Sequence, residues 1–348
     1  MSSVLIWCAA VILILLFLKM PVFLSLLTGT SIYFLSNSST SMQMIAQRAI
    51  SGMESTPLLA IPFFVCAGIF MNYSGVTKRI MDFCSVLTGR MWGGLAQVNV
   101  LLSTLMGGLS GSNIADAAME AKMLVPEMER KGFSKPFSTV VTATSAMITP
   151  LIPPGIGMIV YGSIAGVSIG KLFVAGIGPG LLLCLACMIL VRIISKKRGY
   201  KRLREDKISI GEKVAAVKPA FFPLLLPIII IGGIRIGIFT PTEAGSVAVV
   251  YAFLLGLLYR EMKLKDIVEG IKETALTTAT IMLIVGAASA FAWVLTKEQI
   301  PQQLTELMVG AIHNKWVFLM VVNIFLLIVG MFIEGNAALI VLVPLLHP

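Results

Sequence analysis

Long apolar runs separated by short polar stretches make up almost the whole chain. Residues 4–18, 21–35, 221–234, 244–258 and 316–333 carry almost no charge. The hydrocarbon core of a bilayer is about 30 Å thick, and a helix crosses it in about 20 residues. Alone or with their neighbours, these runs are long enough to cross. The pattern therefore predicts an all-α, polytopic membrane protein. Two helix-length segments depart from it. Gly107-Gly-Leu-Ser-Gly-Ser-Asn-Ile-Ala-Asp116 and Ile148-Thr-Pro-Leu-Ile-Pro-Pro-Gly-Ile-Gly157 place helix breakers inside apolar sequence. Free backbone groups at membrane depth survive only where they are buried in protein or line a cavity.

Composition sharpens the class. Of 348 residues, 57% are hydrophobic and 13% charged, and the mean hydropathy is +0.94. A soluble domain carries roughly 25% charged residues. No basic residue precedes the first apolar run, so the N-terminus does not read as a cleavable signal. Cys8, Cys66, Cys84, Cys184 and Cys187 all sit in apolar surroundings, and His313 and His347 are far from them in sequence. Packing rather than metal binding is the expected role of the cysteines. The net charge of +10 is concentrated: ten Lys or Arg against three acids lie between Arg192 and Lys218. A nucleic-acid role would need a folded basic surface. A short loop between spans fits the positive-inside rule instead, and is expected in the cytoplasm.

Counting outward from that loop gives a topology. Backward, 169–194 crosses to the outside, and 133–166, with its Pro-Pro break, returns. Residues 97–128 have basic flanks at both ends and are expected to form a re-entrant hairpin. Residues 57–71 cross inward, the uncharged linker 36–44 lies outside, and the N-terminus lies outside. Forward, 219–238 crosses outward, 240–259 returns, 274–294 crosses again, and 297–315 lies outside. Residues 316–332 then enter and break at Glu334-Gly335-Asn336.

The two halves correspond. Pro21 matches Pro241 at an offset of 220, Glu54 matches Glu273 at 219, Trp92 matches Trp316 at 224, and Asn113 matches Asn336 at 223. The first half starts outside and the second inside, which is the arrangement of an inverted repeat. The expected division is scaffold helices and an arm in 1–53; a transport domain in 54–166, with its hairpin at about 93–130 and a broken helix at 134–166; scaffold helices with the basic loop 192–218 in 167–272; and a second transport segment with its hairpin in 273–348. The second half stops at Pro348 inside that hairpin, so the chain is expected to be incomplete at its C-terminus by a broken helix and a span. Paired broken helices of this kind hold an ion and a substrate in secondary transporters.

Several separated motifs, in order, carry a specific resemblance. Ser110-Gly-Ser-Asn-Ile-Ala-Asp116 with Leu124-Val-Pro126, Ile148-Thr-Pro-Leu-Ile-Pro-Pro-Gly155 with Tyr161-Gly162, and Phe239-Thr-Pro-Thr-Glu-Ala244 resemble the large membrane subunit (DctM/SiaM type) of tripartite ATP-independent periplasmic transporters over the whole chain. Asn113 and Met119 depart from the smaller residues common there. The resemblance implies an elevator-type carrier in a bacterial inner membrane, with sodium driving uptake of an organic acid such as sialic acid or a C4-dicarboxylate. It also implies two partners: a periplasmic binding protein (DctP/SiaP type) that delivers the acid, and a small membrane subunit (DctQ/SiaQ type) that braces the scaffold. No ATP, organic cofactor, other metal or nucleic acid is expected.

The chemistry of the breaks suits an anion and a hard cation. Helix N-termini near Ser112 and Gly155 expose N–H groups and partial positive charge, so Ser112, Asn113, Pro153, Pro154 and Gly155 are the expected substrate contacts. Hydroxyls and unwound carbonyls offer oxygens. Ser103, Ser110, Ser112, Asn113, Thr149, Pro150, Gly335 and Asn336 are the expected sodium ligands. Plain helix capping at Ser112 or Asn113 is the alternative. Asp116 reads as a first-turn acid stabilised by the helix dipole rather than as an ion ligand, and Glu54, Glu243 and Glu273 read as residues that open helices. Three other functions compete: a stand-alone sodium/dicarboxylate symporter, a channel, and an intramembrane enzyme. Internal pseudo-symmetry argues against a channel. No H-E-x-x-H, G-x-S-x-G or P-loop motif is present to support an enzyme or ATP use.

Overall fold

Apolar helix formers, punctuated by Pro and Gly, give a chain of helices. The computed structural model describes residues 3–37, 40–205, 209–303, 314–331 and 333–346. Parts of the linkers 36–44 and 297–315, and both histidines, lie outside the described residues. So does residue 332, at the inner end of the run 316–332.

In chain order the helices are α1 (Ser3–Phe17), α2 (Val22–Ser36), α3 (Gln43–Met53), α4 (Ala60–Tyr73), α5 (Val76–Thr88), α6 (Gly94–Ser110), α7 (Asn113–Arg130), α8 (Lys135–Ser145), α9 (Ile156–Ile164), α10 (Ile169–Arg198), α11 (Ile210–Arg235), α12 (Pro241–Tyr259), α13 (Leu264–Lys297), α14 (Lys315–Gly330) and α15 (Gly335–Leu346). Short 3-10 turns, Thr56–Leu59 and Thr149–Leu151, precede α4 and follow α8.

Among the described residues, five helical stretches are long and apolar enough to cross a bilayer: Thr56–Tyr73, Ile169–Arg198, Val214–Arg235, Pro241–Tyr259 and Leu264–Lys297. A sixth candidate is the pair Lys135–Leu151 and Ile156–Ile164, bent by 45° at its break. α1 and α2 have 15 residues and α14 has 16. At 1.5 Å per residue they reach only about 22–24 Å, so the runs 4–18, 21–35 and 316–333 give shorter helices than a full span.

The chain forms two compact units. The first comprises Met1–Leu58, Val160–Val167 and Thr277–Pro348. In it α1 and α2 form a hairpin closed by Lys19, which takes a left-handed conformation (φ 61°). Gly29 lets the pair approach, since a Cβ there would run into Ile12 and lie 3.1 Å from the Cys8 carbonyl. Leu5, Cys8, Tyr33, Phe34, Val294 and Leu295 make an apolar cluster, with Phe34 stacked on Trp293 at 5.5 Å. α3 lies along α13, where a Cβ on Gly286 would lie 3.1 Å from the Ala49 carbonyl.

The second unit comprises Leu59–Ile159 and Ser168–Leu276. Its axis is α6, in which every residue is buried except Leu101 and Leu105. α4, α5, α7, α8, α10 and α11 surround it. α4 packs on α12 at Gly245, where the Phe63 and Phe64 side chains close over the glycine. Cys84 of α5 and Cys184 and Cys187 of α10 are buried in this packing, as Cys8 is in the first unit. The basic loop is held at its start: Leu203 and Arg204 donate N–H groups to the Gly89 carbonyl at 2.9 and 3.1 Å.

Two expectations about acids need correction. Glu273 does not open a helix; it lies inside the continuous helix Leu264–Lys297. Asp266 caps that helix by accepting from the Lys263 N–H at 2.9 Å, and no proline interrupts it. Glu54 closes α3 rather than opening α4. Its backbone leaves the helix (φ −82°, ψ 4°) with its N–H on the Ser51 carbonyl at 3.4 Å, and Pro57 lies beyond it in the 3-10 turn before α4. Glu243 does open a helix: with Thr240 it forms a reciprocal capping box on α12, at 2.7 and 3.3 Å.

Candidate functional site

Inside the second unit, the two sequence breaks meet. Gly111 ends α6 in a left-handed conformation (φ 62°), its N–H bonded to the Gly107 carbonyl at 3.3 Å. Ser112 is extended and starts α7. On the other segment, Pro150 sits in the 3-10 turn, the Pro153–Pro154 peptide is cis, and Gly155 precedes α9. The Gly111 carbonyl accepts the Ile156 N–H at 3.5 Å, so the hairpin tip supplies a partner to the first turn of the broken helix.

Glycines make this approach possible. A Cβ on Gly107 would lie 2.9 Å from the Thr149 carbonyl, one on Gly108 would lie 2.7 Å from the Pro227 ring, and one on Gly111 would lie 2.6 Å from the Pro154 carbonyl. At Gly68 of α4 it would lie 2.8 Å from the Ser110 carbonyl. At Gly68, Gly107 and Gly111 main chain approaches main chain, and at Gly108 a proline ring fills the space.

The polar groups around the tip divide into two sets. At the tip itself the oxygens cap α7. Ser112 Oγ accepts from the Ala115 N–H at 3.4 Å, and Asn113 Oδ1 accepts from the Ile114 N–H at 3.0 Å. Ser110 Oγ accepts from the Ser112 N–H at 3.4 Å. The capping alternative is therefore what these bonds describe.

Deeper in, a buried polar network ties the hairpin to the broken segment. Thr149 Oγ1 donates to Asp116 Oδ2 at 3.0 Å and also approaches the Ser103 carbonyl at 3.3 Å. Ser103 Oγ donates to Glu120 Oε2 at 2.7 Å. One turn further along α6, Asn99 Nδ2 donates to Thr142 Oγ1 at 2.7 Å, and Ser145 Oγ donates to Asn99 Oδ1 at 3.0 Å. Asn99, Ser103, Ser110, Asp116, Glu120, Thr142, Ser145 and Thr149 are all buried.

Ser103, Ser110, Ser112, Asn113, Thr149, Pro150, Pro153, Pro154 and Gly155 thus gather at one junction. Gly335 and Asn336 belong to the first unit, where they open α15 and Glu334 Oε2 caps it by accepting from the Ala337 N–H at 3.1 Å. Asp116 is more than a first-turn acid in a dipole, because it is fully buried and accepts from Thr149 on the other segment. Glu120, Asn99, Thr142 and Ser145 were not among the expected site residues. For Glu120 a signal was present: Asp116, Glu120, Leu124 and Met128 recur every four residues on the buried face of α7. Two acids on an apolar stripe mark a packed polar site. Among the described residues, no group of three or more His, Cys, Asp or Glu is placed to hold a metal ion.

Comparison with known proteins matches this arrangement to one family. The profile for the tripartite ATP-independent periplasmic transporter, DctM component, matches residues 9–348. The sialic acid TRAP transporter large permease protein SiaM of Vibrio cholerae is 41% identical over 96% of this chain and 78% of its own length. The Haemophilus influenzae sialic acid permease SiaT is 36% identical over 97% of this chain and 54% of its own length. The C4-dicarboxylate permease DctM of Pseudomonas aeruginosa is 39% identical over 89% of this chain and 73% of its own length.

Proposed function

This chain belongs to the DctM component family of tripartite ATP-independent periplasmic transporters, and from that membership we propose that it imports an organic acid on a sodium gradient by an elevator movement. The family is one of multi-pass inner-membrane permeases, and its name implies two further components and an energy source other than ATP. The proposed partners are a small membrane subunit and a periplasmic binding protein. Sialic acid is the first substrate to test and a C4-dicarboxylate the second, because relatives at 41% and 39% identity carry those names.

The observation that carries this reading is the junction of the Ser110–Asn113 tip with the Thr149–Gly155 break. Helix N-termini and unwound carbonyls converge there, suited to a carboxylate and a hard cation. Ser112, Asn113, Pro153, Pro154 and Gly155 are proposed to face the acid, and Ser103, Ser110, Ser112, Asn113, Thr149 and Pro150 the sodium. Gly335 and Asn336 open the second hairpin and serve in the same way. The order of helices supports the inverted repeat. α7 opens at Asn113 just after the break that ends α6, and α15 opens at Gly335, beside Asn336, after the break that ends α14. The basic loop after α10 lies in the cytoplasm and the N-terminus in the periplasm.

The test is uptake into proteoliposomes containing this permease and its small subunit, supplied with binding protein preloaded with radiolabelled sialic acid or a C4-dicarboxylate, with and without an inward sodium gradient. Accumulation that needs both the gradient and the binding protein supports the reading. Accumulation without the binding protein makes the chain a stand-alone symporter. Ser112→Ala and Asn113→Ala should weaken sodium-dependent uptake while leaving membrane insertion intact, and Ser112→Thr, which keeps the capping hydroxyl, should restore most of it. Full uptake with unchanged sodium affinity in both alanine variants would remove the tip from the site.

A further inference from the structure

A cleft opens in the second unit between α8 and α10. Its volume is about 140 Å³, and Val100, Phe137, Val141, Cys187, Leu190 and Ile194 line it. Val140 and Leu190 also line it and are 61% and 57% exposed, so they form its rim. Apart from the Thr144 and Ser145 hydroxyls, the lining is apolar. One end of the cleft is basic. Phe137, in the first turn of α8, carries the Arg198 guanidinium 5.7 Å from its ring centroid. Lys135 opens α8, and Lys196, Lys197 and Arg198 close α10. These cations are not on a loose loop. Tyr200 packs on Phe133 and Phe137, with centroids at 4.6 and 5.1 Å. Its hydroxyl donates to Ser134 Oγ at 3.0 Å and accepts the Ser134 N–H at 3.2 Å. The ion pairs among the described residues lie elsewhere, at Arg79–Glu261, Arg130–Glu127 and Lys272–Glu269. Lys135 and Arg198 are exposed.

We propose that this cleft seats an acyl chain of an anionic phospholipid from the surrounding bilayer, with the lipid phosphate held by Arg198 and Lys135. The dimensions fit. One leaflet contributes about 15 Å of hydrocarbon, half of the core. Cys187 to Arg198 spans about 16 Å of α10 at 1.5 Å per residue. A chain lying against Cys187 and Ile194 is therefore at acyl depth when Arg198 is at headgroup level. Guanidinium binds phosphate in a bidentate manner, and lysine adds a point charge on an apolar stem that can lie along the surface. Ser134 Oγ is taken up by Tyr200 and does not cap α8, so the first turn of that helix adds partial positive charge at the same end. Charge complementarity selects the occupant. A lipid uses both the apolar cleft and the cations at its end, whereas a packing helix covers the cleft and leaves the cations idle. On the topology above, the lipid comes from the cytoplasmic leaflet, whose anionic lipids attract basic segments. None of the cleft residues is among those proposed to face the acid or the sodium, so this site is separate from the transport junction.

The experiment is native mass spectrometry of the full permease with its small subunit, delipidated in detergent and titrated with dioleoyl phosphatidylglycerol or dioleoyl phosphatidylcholine. Phosphatidylglycerol should bind at the lower concentration. Arg198→Gln and Lys135→Gln should each weaken its binding about fivefold, the worth of one basic side chain beside an anionic leaflet. Val140→Trp, which fills the rim and leaves every charge in place, should weaken it as well. Lys265→Gln, in the first turn of α13, should change nothing. A photo-crosslinking residue at Leu190 should label lipid in native membranes. Equal binding of the two lipids by the wild type overturns the site. So does phosphatidylglycerol binding that survives both basic-residue variants. Loss in those variants with none in Val140→Trp reduces the effect to loose attraction at the interface and also overturns it. A crosslink from Leu190 to protein, whether this chain or the small subunit, puts a helix in the cleft and does the same. The wild-type lipid comparison and the crosslink carry the test if a variant fails to fold. Sodium coupling and dependence on the binding protein are read separately, by the uptake assay.

Discussion

Replacing Gly111 with alanine tests the contact on which the whole site depends. Gly111 has φ 62° and closes α6. An L-residue with a Cβ in the left-handed region costs about 1–2 kcal/mol. The added Cβ would also stand 2.6 Å from the Pro154 carbonyl and 3.3 Å from the Ile156 nitrogen. Both are main-chain atoms of the broken segment and cannot swing aside like a side-chain end. Forcing one methyl into such packing costs roughly 1–3 kcal/mol more. Gly132 provides the internal reference: its φ is 87°, but nothing lies within 4 Å of its Cβ position. Gly132→Ala therefore carries only the backbone cost. Gly111→Ala should be the less stable of the two by about 1–3 kcal/mol. Thermal unfolding of both purified variants, side by side in one detergent, measures the difference. Uptake should fall further in Gly111→Ala as well, because the tip is pushed off the break. If Gly111→Ala unfolds with Gly132→Ala or above it, the hairpin and the break do not meet at this point, and the site built on their meeting is wrong.

Two more substitutions probe what holds the second unit together. Asn99→Leu removes the amide that serves both Thr142 and Ser145, leaving their buried hydroxyls with only local backbone partners; the expected loss is about 1–3 kcal/mol, read by thermal unfolding, and a loss near zero would show that the network is not satisfied through Asn99. Arg79 bonds Glu261 at 2.9 Å and the Gly75 carbonyl at 2.9 Å, and lies 3.8 Å from the centroid of the Tyr259 ring. An exposed ion pair alone contributes little, so the stacked guanidinium should dominate. Arg79→Ala should lose about 1–2 kcal/mol and Arg79→Lys should recover less than half of it; a lysine variant as stable as wild type would show that charge alone matters.

Much of this protein is legible along the chain, because membrane-embedded helices obey a local rule. A run is apolar enough to sit in hydrocarbon or it is not, and basic loops mark one side. The Pro-Pro break, the hairpin and the capping box at Thr240 and Glu243 each came from breaker and capping residues acting within a few positions. Glu273 was misplaced by the same logic. Its match with Glu54 suggested a helix start, but the break after α3 at Glu54 has no counterpart at Glu273, and the helix Leu264–Lys297 runs on. α1 and α2 run as long as the apolar stretches that announced them, 15 residues each, so there the apolar run and the helix share nearly the same limits.

Sequence alone therefore determined the class of the protein, the position of its breaks and the family it resembles. Tertiary structure alone decided which polar groups are buried together. Asp116 was an ordinary first-turn acid until Thr149, 33 residues away, was found bonded to it, and Glu120 carried no prediction until Ser103 of α6 was found to donate to it. Burial and partnership are properties of pairs of segments. A hydrophobic pattern fixes how each helix faces its surroundings but not which helix comes to meet it. Glycines at 107 and 111 permit the close approach, and only the packed unit shows that the break, rather than lipid or water, fills the space they leave.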